Sequence, residues 1–363
     1  MTTELDEFLK NITPLNRDAM EAARRYQASL AKPPESLGRL EELSIQLAGI
    51  TGKVHNRMDT PHLLVFAADN GVAEEGVSSA PQSVTLMQTI NLTRAKTGAS
   101  TLCKHFGVGI TVCDVGVKTD IHDSAVLNRK IAYGTRNMAK EPAMTREQAT
   151  RAILTGIGLA MRTQASALGV GEMGIGNTTT SAAVLAVLTG ADVEAVTGRG
   201  GGLTDQGFLR KKEVLRQSLA LHRPNKNDII GVLAGVGGLD LAAMTGAFLG
   251  CAHERVPAAV DGFISITAAL CAVRLCPATR DYLFLSHDSY EIGYRIAAEE
   301  LGLRPCLRLD MRLGEGSGCP LLFRLLEGAC GVMRGMATFD EAAIEDGYLD
   351  EIRAMDAFTV EAT

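Results

Sequence analysis

The sequence has no basic excess, no paired-cysteine motif, no long uncharged apolar run and no tryptophan, and each absence removes a class of protein. The 363 residues carry a net charge of −6, whereas a nucleic-acid binder shows a basic patch or stripe. The densest basic clusters, Arg210-Lys211-Lys212 and Arg24-Arg25, sit in helix-like contexts. The eight cysteines form no CxxC pair and most lie in apolar stretches. Reduced, buried thiols are therefore expected, not a zinc site or a disulfide framework. No uncharged apolar run reaches the roughly 18 residues that a membrane-spanning helix needs. The first residues, Met1-Thr2-Thr3-Glu4-Leu5-Asp6-Glu7, are acidic where a secretory leader is basic, so a cytoplasmic location is expected. In place of aromatics, which make up 4%, the chain has 38 glycines and 46% hydrophobic residues. That composition fits an ordinary globular protein with close helix–sheet contacts and glycine-rich ligand loops.

The length calls for one large domain with an appendage, or for two domains. The first fifty residues read as helices, over Asp18 to Ala31 and Ser36 to Gly49, broken by Pro33-Pro34. Then the texture changes. His62 to Ala68 is a continuous apolar run of strand length ending in Asp69-Asn70-Gly71, the pattern of a buried parallel strand. Similar runs are Gly109 to Val115, Ala191 to Thr197, Ala258 to Phe263 and Tyr282 to His287. Between them lie helical segments at Glu147 to Leu168, Thr179 to Leu188, Gly238 to Ala252 and Ser265 to Leu275. This alternation predicts an α/β fold with a doubly wound, Rossmann-like parallel sheet. The chain ends in two further helical stretches, Leu321 to Met336 and Phe339 to Met355. The predicted division is a small helical lobe from residues 1–30 and 337–363, and a large α/β domain over 31–336. No internal repeat or low-complexity linker is present.

In open parallel sheets ligands sit beyond the carboxyl ends of the strands. That rule directs attention to Asp69-Asn70-Gly71, the Gly198 turn, Asp261-Gly262, Ser286-His287 and the run Arg312-Leu313-Gly314-Glu315-Gly316-Ser317-Gly318. In the last of these a lone carboxylate stands between glycines that let a ligand approach the backbone, the setting for a general base; a solvated surface turn is the alternative. Gly171-Glu172-Met173-Gly174-Ile175-Gly176-Asn177 runs into an Ala-rich helix and offers backbone amides to an anion. Glu172 would repel a phosphate but welcome a sugar hydroxyl, so a phosphate with a ribose fits better than a polyphosphate. Gly198-Arg199-Gly200-Gly201-Gly202, with Lys211 two helical turns later, suits a second phosphate cradle, with a flexible surface loop as the alternative. It is neither a P-loop nor a GxGxxG fingerprint. Ser286-His287-Asp288-Ser289 lacks the GxSxG context of a hydrolase; Ser289 suits a ligand hydroxyl and His287 a structural hydrogen bond. No metal-ligand spacing is found.

Taken in order, these segments resemble the nicotinate-nucleotide–dimethylbenzimidazole phosphoribosyltransferases of cobamide assembly. The resemblance runs over nearly the whole chain: Lys32 to Leu40, Ala68 to Val72, Gly76-Val77-Ser78, Gly134 to Met138, Glu141 to Thr145, Gly171 to Thr179, Asp261-Gly262-Phe263 and Arg312 to Gly318. It implies transfer of the ribose 5-phosphate of nicotinate mononucleotide to an aromatic base, with inversion to the α-riboside, without metal or cofactor, in a homodimer. By the same resemblance Glu315 is the catalytic base, and Glu172 and Gly174 contact the ribose. Gly200, Gly201, Gly202, Lys211 and Ser289 hold the phosphate, and Ser78, Leu86, Met173 and Leu313 line the base pocket. The chain departs from the family pattern at Glu35, where Gly is frequent, at Asn70, Gly201, Tyr290 and Tyr294, and at Leu86, where relatives often have Gln. An apolar residue at 86 implies tolerance of phenols such as p-cresol, whose enzymes include pairs of related subunits. The rival readings are a non-catalytic partner subunit, which has no use for Glu315, and a dinucleotide oxidoreductase, whose fingerprint is missing.

Overall fold

The computed structural model describes residues 3–353, which divide into two compact units. One comprises the chain up to Thr13 and Thr60–Leu322; the other comprises Pro14–Asp59 and the chain from Phe323 onward. This corrects the predicted lobe: residues 31–59 and 323–336 group with the helical unit, and residues up to 13 with the sheet. The early residues are held there by Phe8 stacking on His253 at 4.5 Å and by the Tyr282 hydroxyl donating to the Thr13 carbonyl at 2.8 Å.

The large unit is built on six strands: β1 (Pro61–Ala68), β2 (Gly109–Gly116), β3 (Val126–Asn128), β4 (Ala167–Met173), β5 (Ala258–Val260) and β6 (Leu283–Leu285). All neighbours pair in parallel, in the order β3-β2-β1-β4-β5-β6. This is the doubly wound order, with the chain winding outward in both directions from the β1–β4 boundary. β1 has to be apolar throughout because both its faces are covered, and Leu63, Val65, Phe66, Ala67 and Ala68 are all fully buried.

β4 was not anticipated; the predicted helix Glu147 to Leu168 ends at Thr163. Its sequence, Ala-Leu-Gly-Val-Gly-Glu-Met, hides the strand behind two glycines that the fold requires. A Cβ at Gly169 would lie 2.6 Å from Cys319 Cβ, and one at Gly171 would lie 2.4 Å from the Glu315 carbonyl oxygen. β3 was also missed. Conversely, Ala191 to Thr197, expected as a strand, contains the short helix Val193–Val196. Its buried residues, Val193 and Val196, recur three apart, a helical spacing.

Helix Arg146–Thr163 starts at a reciprocal cap between Thr145 and Gln148. It packs against Leu239–His253 with backbones in near contact: a Cβ on Gly156 would fall 1.8 Å from the Ala243 carbonyl, and one on Gly246 would fall 1.9 Å from that of Ile153. These glycines serve helix spacing and not ligand loops. Among the described residues no helix is long and apolar enough to cross a membrane.

The helical unit holds Arg17–Ser29 and Arg39–Thr51. Its core joins Ala19, Ala23, Ala48 and Met333, and Lys32 pairs with Glu41 at 2.7 Å. Glu35 has φ +56, a left-handed conformation that favours the glycine frequent there in the resembling family. The stretch expected as a helix from Phe339 forms turns, a short 3-10 segment Gly347–Leu349 and the four-residue helix Asp350–Arg353. Residues 354 and 355 of that stretch lie outside the described residues.

Candidate active site

Where the chain winds away from β1 and β4 in opposite directions, a crevice opens at their carboxyl ends. A cavity of about 250 Å³ occupies this position. Glu172 and Met173 enter it from the end of β4, Asp261 from β5 and His287 from β6, while residues 312–315 form a further wall.

The wall that carries Glu315 is conformationally costly. Gly314, Glu315 and Gly316 have φ of +84, +62 and +87, three left-handed residues in succession. For a non-glycine residue this costs about 1–2 kcal/mol. The Asp261 carboxylate opposes the strain by accepting the Gly316 and Gly318 amides at 3.0 and 2.7 Å, and Glu172 Oε1 accepts the Glu315 amide at 3.1 Å. Gly171, without a Cβ, lets the loop lie directly on β4. The preceding segment is irregular and meets the end of β6 through the Cys306 amide on the Leu285 carbonyl at 3.0 Å and an isolated bridge between Leu307 and His287.

Glu315 is buried. Its Oε2 accepts the Ala99 amide at 3.1 Å, with the Thr97 hydroxyl and the Gly98 amide beside it at the start of helix Gly98–Phe106. Burial pushes its carboxyl above the ordinary range, and these bonds partly offset the shift. Thr97, Gly98 and Ala99 were not anticipated as site residues. They lie over 200 positions away, and their only signal was the helix-capping pattern Thr97-x-x-Ser100.

Glu172 is pushed up to about 7 by burial, with Asp240 and Asp261 adding to the effect. Its Oε2 accepts the Asn177 side-chain amide at 2.5 Å, and the same nitrogen donates to Asp240 Oδ2 at 3.1 Å. Asp240, pushed up to about 6 by burial, was also missed. Its signal was available: it is the single charge between Ile229 and Ala252. A Cβ on Gly174 would lie 2.6 Å from Asp240 Oδ2 and 3.0 Å from Asn70 Nδ2, so glycine is needed there.

At the opposite end, Gly200 and Gly201 face the first turn of helix Asn177–Thr189. Lys211, only 1% exposed, does not reach the cavity. Its ammonium donates to Thr178 Oγ1 at 2.9 Å and to the Gly198 carbonyl at 3.1 Å, tying the two walls together from behind. Burial lowers it to about 8. Glu291, which sequence reasoning passed over, lines this end and accepts the Gly200 amide, with Lys211 as its nearest cation. Ser289 lines the cavity and Gly202 does not.

At the outer side, Ser78, Met173 and Leu313 line the cavity, Leu313 with 58% exposure. Leu86 does not. On helix Ser83–Thr93 the residues that face inward are Val84 and Gln88, one turn apart, and Leu86 is rotated away from them. His287, fully buried, holds Ser286 Oγ at 2.9 Å and lies 3.9 Å from Asp261.

A doubly wound parallel sheet with buried carboxylates gathered at its switch point defines the protein as an α/β enzyme. The chain belongs to the phosphoribosyltransferase family, whose pattern matches residues 12–344. It is similar to the nicotinate-nucleotide–dimethylbenzimidazole phosphoribosyltransferase of Clostridium tetani, with 47% identity covering 96% of this chain and 98% of the relative. The enzyme of that name from Geobacter metallireducens is 44% identical over 95% of this chain and 99% of its own length. The crystal structure of the Thermus thermophilus enzyme superimposes with a TM-score of 0.87 at 39% identity, covering 92% of this chain and all of that one.

Proposed function

We propose that this enzyme transfers the ribose 5-phosphate of nicotinate mononucleotide to 5,6-dimethylbenzimidazole or a related aromatic base, giving nicotinate and the α-riboside 5'-phosphate. The observation that carries the reading is Glu315, a buried carboxylate of raised proton affinity held at the wall of the cavity beside Leu313. An imine nitrogen of the base attacks C1′ with its lone pair. The bond from C1′ to the pyridinium nitrogen breaks, and its electrons neutralise the departing nicotinate ring. The N–H proton of the base passes to Glu315, so charge balances without a metal. Attack opposite the leaving group inverts the anomeric centre.

In this reading Glu172 and the Gly174 backbone hold the ribose. Gly200, Gly201 and Ser289 receive the phosphate, with Lys211 supplying positive charge through the wall it braces. Ser78, Met173, Leu313, Val84 and Gln88 surround the base. The case for phenols rested on an apolar Leu86 in the pocket. Gln88 lines it instead and keeps a hydrogen-bonding group there, and the relatives are named for dimethylbenzimidazole. The reading also carries a homodimer acting in the cytoplasm.

The test is a product assay with nicotinate mononucleotide and dimethylbenzimidazole, adenine, phenol and p-cresol in parallel, with Glu315→Gln as control. Nicotinate release with dimethylbenzimidazole, lost in the control, is the expected result. Release only with phenols would move the acceptor class, and release unaffected by Glu315→Gln would remove the base assignment.

A further inference from the structure

Glu172 is held by two direct bonds and one indirect support. Its Oε1 takes the backbone amide of Glu315, and its Oε2 takes the side chain of Asn177 at the head of helix Asn177–Thr189. The third support comes through that same amide nitrogen, which gives its second hydrogen to Asp240. Asp240 lies on another element, the first turn of helix Leu239–His253, and is 0% exposed. Its Oδ1 accepts the Leu241 amide at 2.9 Å. Asn177 thus spends both hydrogens of one nitrogen on joining two buried carboxyl groups.

The charges that bear most on Glu172 are acidic, Asp240 beyond Asn177 and Asp261, which is itself turned toward the Gly316 and Gly318 amides and His287; Glu315 and Arg312 line the same cavity. The nearest buried cation, Lys211, is committed to Thr178 and Gly198. Two carboxyl groups in such a setting hold one proton between them more readily than none. A helix N-terminus favours the anion at Asp240, so the proton belongs to Glu172. The direction of the two shifts, about 6 for Asp240 and about 7 for Glu172, agrees with that order.

We propose that Asp240 is a positioning residue for the transfer reaction: through Asn177 it fixes the orientation of the Glu172 carboxyl, and by its own negative charge it keeps that carboxyl in the acid form while the nucleotide binds. As an acid, Glu172 both donates to and accepts from a ribose hydroxyl and adds no negative charge beside an anionic substrate. This inference rests on the assignment of Glu172 to the ribose. Asp240 touches no substrate; its effect is entirely on the charge and orientation of its neighbour.

The experiment compares kcat/KM for nicotinate mononucleotide against pH in the wild type, Asp240→Asn and Asn177→Ala. In the wild type kcat/KM falls as Glu172 ionises. Asp240→Asn removes the like charge and moves this fall to lower pH by about one unit, so KM at neutral pH rises up to about tenfold with a smaller change in kcat. Asn177→Ala removes a donor to the anion and moves the fall to higher pH. In a Glu172→Gln background neither substitution moves the profile. A shared fall that stays in place in all three proteins, with melting temperatures matched, would overturn the proposal. The carboxyl resonance of Glu172 in 13C-glutamate-labelled protein, titrated without substrate, reads the same opposite shifts. If those shifts appear but no base accepts ribose phosphate, the functional reading has failed and the coupling stands. Absence of the shifts in folded variants overturns the coupling whatever the turnover.

Discussion

Glu172 Oε1 accepts the backbone amide of Glu315 at 3.1 Å, so the side chain of one carboxylate residue fixes the main chain of the other. The two act at different parts of the proposed reaction centre, yet neither can shift alone. A substitution at Glu172 therefore reaches the proton acceptor as well as the ribose contact, and its kinetic effect will not divide into two independent parts.

Among the described residues Glu315 is the sole non-glycine that stands between two left-handed glycines, Gly314 and Gly316. Glu315→Gly is expected to abolish turnover, by about 100-fold or more for loss of a general base. Relief of the left-handed strain offsets the lost contacts by about 1 kcal/mol. Thermal melting together with the nicotinate-release assay checks both; a variant that is inactive and also strongly destabilised would show that the lost contacts outweigh the relieved strain.

Gly171→Ala places a Cβ 2.4 Å from the Glu315 carbonyl oxygen, and the obstacle is backbone, not a pliable side chain. Overpacking of this kind costs about 1–3 kcal/mol. Activity is expected to fall further than stability, because the loop lifts off β4 and carries Glu315 with it. Urea denaturation and steady-state kinetics on the same preparation separate the two effects.

The raised carboxyls of Glu172 and Asp240 set a sign for stability against pH. Both bind protons more tightly folded than unfolded, from 4.5 to about 7 and from 3.8 to about 6. Their contribution is fully present below the unfolded values and is lost as pH rises through the folded ones. Melting temperature is expected to decline between about pH 4 and pH 7 from this source. In the Glu172→Gln, Asp240→Asn double variant the decline is expected to flatten; an unchanged slope would place its origin elsewhere.

Acceptor choice offers a fourth test. Gln88→Ala is expected to raise KM for dimethylbenzimidazole several-fold, about 1 kcal/mol for one hydrogen-bonding group, while Leu86→Ala leaves it within twofold. The reverse ranking would return Leu86 to the pocket and reopen the phenol reading.

The parallel sheet was legible wherever a strand is apolar along its length, as in β1, β2 and the runs that contain β5 and β6. β4 was not, since its signal residues are replaced by Gly169 and Gly171 to admit Cys319 and the Glu315 loop. Glu172 and Glu315 were legible because each sits beside glycine, where an apolar core has no use for charge; Glu291, between Tyr290 and Ile292, was not. Ala99 was not, since it serves through a backbone amide that any residue but proline would supply; Lys211 was singled out, but as a phosphate contact, whereas it braces the walls from behind them. The rotation that turns Gln88 inward and Leu86 aside depends on how helix Ser83–Thr93 is seated, which a sequence match at single positions does not carry.

The residues facing the acceptor and those facing the sugar phosphate differ in how freely they can drift. Leu313 stands at the cavity edge with over half its surface in solvent, and Val84 and Gln88 lie on one face of a helix. Glu172, Asp240 and Asp261 are locked into the sheet's switch point by bonds to backbone amides and to Asn177. A lineage offered a new aromatic ring can therefore retune its taste for acceptors by changes at the rim, one side chain at a time, while the machinery that handles the ribose is inherited intact.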